Sequence, residues 1–517
     1  MPRSFSVVED PWVPVRIRAD LDVEESAELE RLLPGTCRGE RIRVGLRVLF
    51  KAAHLLADLD VSQPPVETML RRLLAAVTAR IACLDRGPAE EWLDAREDLL
   101  AAGRFTAERV DGYLDGCGDR WQLYGGVRPF LQDPRLAVEC GEDAPPARLA
   151  MDRPSGNNAA WSSTLPQGEP IVDAEAVLWL LVWHGFGPSG TAAVRSHGTV
   201  SGKICKAGVH RSLISYFPHA PEQLFVSLVV SVPGPAAWPA QEGEDLAPWE
   251  AETLSDPLVP APPRGPVSLL TGRSAHAVLL VSGEGGTTGC RITWGALGEL
   301  PAAVDPYVIE RDKGGPLRAS RDRTVWRDLD ALLLKEQAGS KVRLRRPTVF
   351  DTIAELPAAL QQGLGVRVLA WDQDKQDKNS QWYAATTPPV LQHVEESDPD
   401  GAAAIAAGRS QAEAVASELG RALASAWHAV NTGRRSLDRA GFVGAAMAQF
   451  WERAEGEFWD VVHDTARRPA FRRIALGCFD AAVVSLKGSV HGRDAAARAR
   501  VRLAHPTFKR PRAKTPA

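Results

Sequence analysis

The sequence changes character after Pro388-Pro389, and that break constrains the fold more than any other feature. Ala402 to Val430, Leu437 to Ala466 and Ala470 to Leu486 are rich in alanine, with apolar residues at helical spacing. Met447, Phe450, Trp451, Ala454, Phe458 and Val462 fall on one stripe, and helices with one apolar stripe bury it by packing against each other. A helical bundle is therefore expected over residues 391–505. Basic residues accumulate from Arg493 onward with Asp494 as the one acid, and residues 506–517 read as a basic tail.

The preceding residues 1–390 mix both kinds of pattern. From Arg41 to Leu84 apolar residues recur at three and four, predicting two amphipathic helices split by Gln63-Pro64-Pro65. Trp92 to Leu131 reads as short helices ending in a turn-rich segment, and residues 139–170 have the composition of a long loop. Ala174 to Trp183 is apolar nearly all round, which predicts a buried helix, and it runs into Gly185-Phe186-Gly187-Pro188-Ser189-Gly190. Residues 223–232 and 276–282 read as buried strands, with a proline-rich surface excursion from Pro233 to Pro266. The fold class is α+β: a large mixed α/β domain followed by the bundle.

Composition excludes several classes. With 44% hydrophobic residues and a net charge of −4, the chain is neither disordered nor basic throughout. Seven cysteines, odd in number and never in CxxC, argue for buried thiols in a reducing compartment and against a zinc ribbon. The longest apolar run, AVLWLLVWHGF from Ala176, is too short to span a bilayer, and MPRSFSVVEDPW lacks a basic leader followed by an apolar stretch. A cytoplasmic protein without membrane partners is expected. Gly198 to Ile204 is an incomplete phosphate loop, lacking the spacing and the hydroxyl after Lys203. His463-Asp464 has the dipeptide of metal-dependent phosphohydrolases but no further ligands in view, so that reading stands only as the alternative. No catalytic residue, metal or cofactor is nominated.

Several segments, in order along the chain, resemble the CasA family, the large subunit of the type I-E CRISPR surveillance complex Cascade. They are FSVVEDPWVPV from Phe5, YLDGCGDRWQLYGGVRPFLQ from Tyr113, SGNNAAWSST from Ser155, GFGPSG from Gly185, RASRDRTVWRDL from Arg318 and AWDQDKQDKNSQWYAATTPP from Ala370. The resemblance implies a non-catalytic subunit with a mixed α/β domain and a C-terminal four-helix bundle. Such a subunit detects the protospacer-adjacent motif in double-stranded DNA from the minor groove and helps open the duplex for guide RNA. It works with the other Cascade subunits and afterwards docks the helicase–nuclease.

The resemblance also implies site residues. The glycine loop that reads the motif would be Gly185, Gly187, Pro188, Ser189 and Gly190, where absent side chains let backbone approach the groove floor. An ordinary helix-terminating turn is the competing reading. The wedge that separates the first base pair would be Gln376 with Lys375 beside it, or Gln373 or Gln381 if the register slips. The family's motif-probing lysine has no match, since Arg291 is the one cation between Gly289 and Pro306. Asn157, Asn158 and Trp161 would lie in the loop that anchors the subunit to guide RNA and its neighbour. Arg195, Lys203, Lys206 and Arg211 follow the glycine loop and are placed to neutralise phosphates, against the competing reading of a solvated charged face. The family's zinc site is not expected, because Cys205 and Cys290 are single.

Overall fold

The computed structural model describes residues 4–152, 168–239, 242–319, 324–335, 343–373, 379–431, 438–464 and 467–505. They form two units: Met1–Arg321 with Glu336–Gln392, and Asp322–Lys335 with His393–Ala517.

In the first unit β1 (Val13–Ile17) lies between β2 (Arg41–Val44) and β3 (Leu56–Leu59), antiparallel to both. Helix α1 (Val23–Leu32) starts at a reciprocal cap, Asp22 accepting from the Glu25 N–H at 2.8 Å and Glu25 accepting from the Asp22 N–H at 3.0 Å. The single amphipathic helix expected after Arg41 is instead strand, short helix α2 (Leu46–Lys51) and strand. The expected second helix is present as α3 (Pro64–Ala82), with prolines in its first turn, but it is buried on every side apart from Arg80. Its buried charges are paired: Arg71 with Glu67 at 2.8 Å and Asp58 at 3.0 Å, and Arg72 with Asp305 at 2.9 Å.

Helices α4 (Ala89–Ala102), α5 (Ala107–Gly116), α6 (Leu136–Glu139) and α7 (Asp173–Phe186) follow. Then come the hairpin of β4 (Gly190–His197) and β5 (Val200–Cys205) and the strand β6 (Ile214–His219). The stretch 223–232, expected as a strand, is helix α8 (Leu224–Val230), with all seven residues buried. A short run that is apolar on all sides has no period to separate the two states, so burial in the helix-rich neighbourhood of α3 and α4 decides. After α9 (Pro266–Thr271), residues 276–282 form a strand as expected, β7 (His276–Gly283), paired with β8 (Gly286–Trp294). Of the cysteines, Cys140, Cys205, Cys290 and Cys478 are buried but Cys37 and Cys83 are exposed, correcting the expectation of buried thiols throughout.

Strand β9 (Glu310–Arg311), helix α10 (Leu329–Leu333) and strand β10 (Leu344–Arg345) precede α11 (Ala358–Gly363), β11 (Gly365–Gln373) and β12 (Asn379–Thr386). β11 pairs antiparallel with both β6 and β12. α10 belongs to the second unit, so the N-terminal stretch 1–390 is not one continuous piece. Trp326, just before α10, is fully buried with its ring 4.8 Å from Phe458 and 5.7 Å from Trp451, and Asp330 pairs with Arg409 at 2.8 Å. The rest of that unit is α12 (Pro399–Val430), α13 (Arg439–His463), α14 (Phe471–Ala482) and α15 (Val490–Ala504). The basic stretch from Arg493 therefore begins inside the fourth helix, and residues 506–517 lie outside the described residues.

Candidate nucleic-acid interface

Gly185 and Phe186 are the last residues of α7, not part of a loop, and Gly187 caps the helix with its N–H on the Trp183 carbonyl at 3.2 Å. A Cβ on Gly185 would collide with the Met69 sulfur of α3 and lie 3.0 Å from the His210 ring. A Cβ on Gly187 would lie 2.5 Å from the His276 ring and 2.8 Å from the Trp183 carbonyl. Their missing side chains thus serve packing, and both residues are buried. What faces outward is Pro188 and Ser189, half-buried, and Gly190, exposed at φ +135°.

This short turn is tied down from beneath. The Gly208 N–H donates to the Gly187 carbonyl at 2.8 Å, the His210 N–H to the Gly185 carbonyl at 2.9 Å, and His276 Nε2 to the Pro188 carbonyl at 2.9 Å. Burial pushes His276 and His210 down to about 4, so both rings are neutral near pH 7. A carbonyl only accepts, so His276 carries its proton on Nε2. Neither His276 nor Gly208 was legible as a site residue, because each is remote in sequence from the turn it holds.

The cations are distributed differently from the sequence expectation. Arg195 is fully buried, its guanidinium 2.6 Å from Glu139, 2.8 Å from Asp133 and 3.0 Å from the Trp294 carbonyl, and 4.9 Å above the Trp294 ring. It is part of the core and not a phosphate contact. Burial would raise the Asp133 carboxyl, but Arg135 and Arg195 outweigh it and hold the group below the usual carboxylate range. Arg211 is buried too, donating to the Phe186 carbonyl at 3.3 Å. Arg291 sits in β8, bonded to Asp143 at 2.6 Å and to the carbonyls of Leu136 at 2.9 Å and Ala137 at 2.5 Å, so it does not replace a probing lysine. Lys203 in β5 and Lys206 just after it are exposed, with no ion-pair partner among the described residues.

β11 and β12 form the flanks of the expected wedge, paired as far as Gln373 and Asn379, while Lys375 and Gln376 lie outside the described residues. Gln373 is buried, its carbonyl accepting from the Ser212 hydroxyl at 2.6 Å, which removes it as a wedge; Gln381 is exposed. Trp371 near the end of β11 lies 5.8 Å from Phe186 at the end of α7. The stretch Gly208–Ser212 therefore holds both the turn and the root of the hairpin, a juxtaposition the sequence did not reveal. Asn157, Asn158 and Trp161 also lie outside the described residues.

Among the described residues no group of three His, Cys, Asp or Glu is placed to hold a metal ion, and His463 and Asp464 are exposed at the end of α13. Among the described residues no helix is long and apolar enough to cross a membrane.

Comparison with known proteins gives the family. The family model for CRISPR-associated protein Cse1 matches residues 7–477. A CasA/Cse1 protein of Thermus thermophilus is 30% identical over 358 residues, covering 65% of this chain and 61% of the relative's length. A chain of a CRISPR RNA-guided surveillance complex is 31% identical with a TM-score of 0.83, covering 97% of this chain and 100% of its own. The crystal structure of Thermus thermophilus CasA shares the fold at 21% identity, with a TM-score of 0.74 over 97% of this chain and 99% of that one. The chain belongs to the CRISPR-associated Cse1 family, the CasA family of the type I-E Cascade.

Proposed function

We propose that the chain is the non-catalytic large subunit of the type I-E Cascade, which recognises the protospacer-adjacent motif in double-stranded DNA, nucleates duplex opening and R-loop formation, and recruits the helicase–nuclease. The observation that carries this reading is the shared wall beneath two elements. The end of α7, whose Gly185 and Gly187 lead into the turn Pro188–Gly190, and the root of the β11–β12 hairpin are both fastened to Gly208–Ser212, and Phe186 lies 5.8 Å from Trp371. Reading a base step and separating the next one requires two projections at fixed spacing, and rigid support keeps that spacing from being lost on binding.

In this reading Pro188, Ser189 and Gly190 meet the minor groove, where the donor and acceptor pattern is degenerate and a small contact surface gives tolerant recognition. Lys203 and Lys206 neutralise nearby phosphates, and Gln376 with Lys375 enters below the motif. Unstacking that step costs on the order of a few kcal/mol, which groove and backbone contacts offset. Asn157, Asn158 and Trp161 hold the guide RNA end and the neighbouring subunit.

The test is binding of matched double-stranded DNA, with and without the flanking motif, by guide-loaded complex containing wild-type chain or Gln376→Ala. Wild type should require the motif, and the variant should bind pre-opened DNA while failing on closed duplex. Equal binding by both proteins would remove Gln376 as the wedge, and indifference of wild type to the motif would overturn the reading.

A further inference from the structure

The first unit contains a cavity of about 130 Å³, lined in part by His276, whose charge is out of balance. Arg120, Arg128 and Arg135 line it against one carboxylate, Asp133. That carboxylate is already engaged by Arg135 and Arg195, each at 2.8 Å. Arg120 donates to the carbonyls of Trp249 at 3.3 Å, Glu250 at 2.7 Å and Ala251 at 3.0 Å. Arg128 donates to the Pro248 carbonyl at 2.8 Å and to that same Ala251 oxygen. Two guanidiniums thus share one neutral oxygen, and neither has an ion-pair partner among the described residues.

Carbonyls satisfy the hydrogen bonds of a guanidinium but leave its charge uncompensated. The imbalance is felt: burial, with Arg120 and Arg135 nearby, pushes the Arg128 guanidinium below its usual range. The other titratable groups of the lining do not help. His184 and His276 are held down to about 4 by burial, and so are neutral. His184 spends its ring nitrogens on Ser274 and the Leu131 carbonyl, at 2.9 Å and 2.8 Å.

We infer that this cavity is a binding site for a small phosphate-bearing anion, held by Arg120 and Arg128. A tetrahedral phosphate offers acceptor oxygens in several directions, so one group can accept from both guanidiniums and neutralise their charge. The cavity is large enough for such a group, and its remaining wall combines apolar Trp249 and Leu254 with the polar residues Gln132, Thr271 and Ser274.

The experiment uses the full-length protein in phosphate-free buffer, titrated with inorganic phosphate, pyrophosphate and adenosine monophosphate, and read by calorimetry and by melting temperature. One-site saturable binding is expected, with an upward melting shift of a few degrees at saturation. Tighter binding of the nucleotide than of the inorganic anions would identify a nucleotide site, and the reverse a site for the free anion. Arg120→Gln with Arg128→Gln should weaken binding on the order of 10- to 100-fold. Because both arginines also tie down Pro248–Ala251, Leu254→Glu serves as the second variant, placing a carboxylate on the cavity wall with the arginines intact. It should raise the melting temperature in phosphate-free buffer and abolish the phosphate response. No saturable response of wild type to any of the three probes would overturn the inference. So would a Leu254→Glu protein that melts lower and binds phosphate unchanged.

Discussion

Arg195→Ala separates the two meanings that a basic residue beside the turn could have. The Arg195 side chain is fully buried between Asp133 and Glu139 and stacks on Trp294. Removing one partner of a buried pair costs about 3–5 kcal/mol, because the remaining charges stay buried without compensation. Here Asp133 keeps Arg135 at 2.8 Å and Glu139 keeps His197 at 2.6 Å, which puts the expected loss at the lower end, about 3 kcal/mol. Unfolding entropy of about 2.1 cal/mol/K per residue over a unit of about 380 residues converts this to a fall in melting temperature of roughly 4 °C. Calorimetry on the purified chain measures that shift, and target-DNA binding by the guide-loaded complex over a range of salt measures the charge contribution. The slope of log affinity against log salt should be unchanged. A residue touching phosphate would do the reverse, leaving the melting temperature alone and reducing the slope by about 0.9. That result would refute the placement of Arg195 in the core.

The remaining expectations run in the same terms. Lys203→Ala and Lys206→Ala should each reduce the salt slope by up to about 0.9 with the melting temperature unchanged, and unchanged slopes in both would remove β5 from the DNA path. Gly187→Ala forces a methyl against His276 and the Trp183 carbonyl, an overpacking cost of about 1–3 kcal/mol. The turn should shift, so motif-dependent binding to closed duplex should fall more than binding to pre-opened DNA. His184, His210, His219 and His276 are each lowered by burial to about 4 from an ordinary value near 6.5. The unfolded chain then takes up protons below about pH 6.5 and the folded chain only near pH 4, so this stability is complete above 6.5 and lost as pH falls through 4. Melting curves from pH 8 to pH 4 should show that decline, with a shallower slope in His276→Gln; a melting temperature flat across the range would contradict it.

How much of this was legible depended on whether a residue's environment is set by its near neighbours. The buried helix α7 and the strand β7 follow from runs whose burial is written in their own composition, as does the stripe Phe450, Ala454, Phe458 and Val462 of α13. The helix α15 was partly hidden because it buries mainly small residues, Ala495, Ala496 and Ala499 with Leu503, beneath a face of arginines. The turn after α7 was found for a reason that proved incomplete. Gly185 and Gly187 mark it in the sequence, yet what demands glycine there is Met69, His210 and His276, which no local pattern connects to them.

The misplaced cations have a common physical cause. Arginine outnumbers lysine about 50 to 11 in this chain, so the basic run after the turn gave no means of telling free charge from charge used internally. A guanidinium is weakly hydrated and presents several donors in a fixed plane, so it can be buried between two carboxylates and a carbonyl, as Arg195 is, or against a carbonyl, as Arg211 is. An ammonium is strongly hydrated and makes no such fork. Arg71, Arg72, Arg96, Arg195, Arg211 and Arg346 are buried, whereas no described lysine is. In an arginine-rich chain of this kind arginine is therefore poor evidence of a surface that meets phosphate, and lysine is the better marker. By that criterion the β4–β5 hairpin is singled out by Lys203 and Lys206, the two members of the run that the interior did not take up.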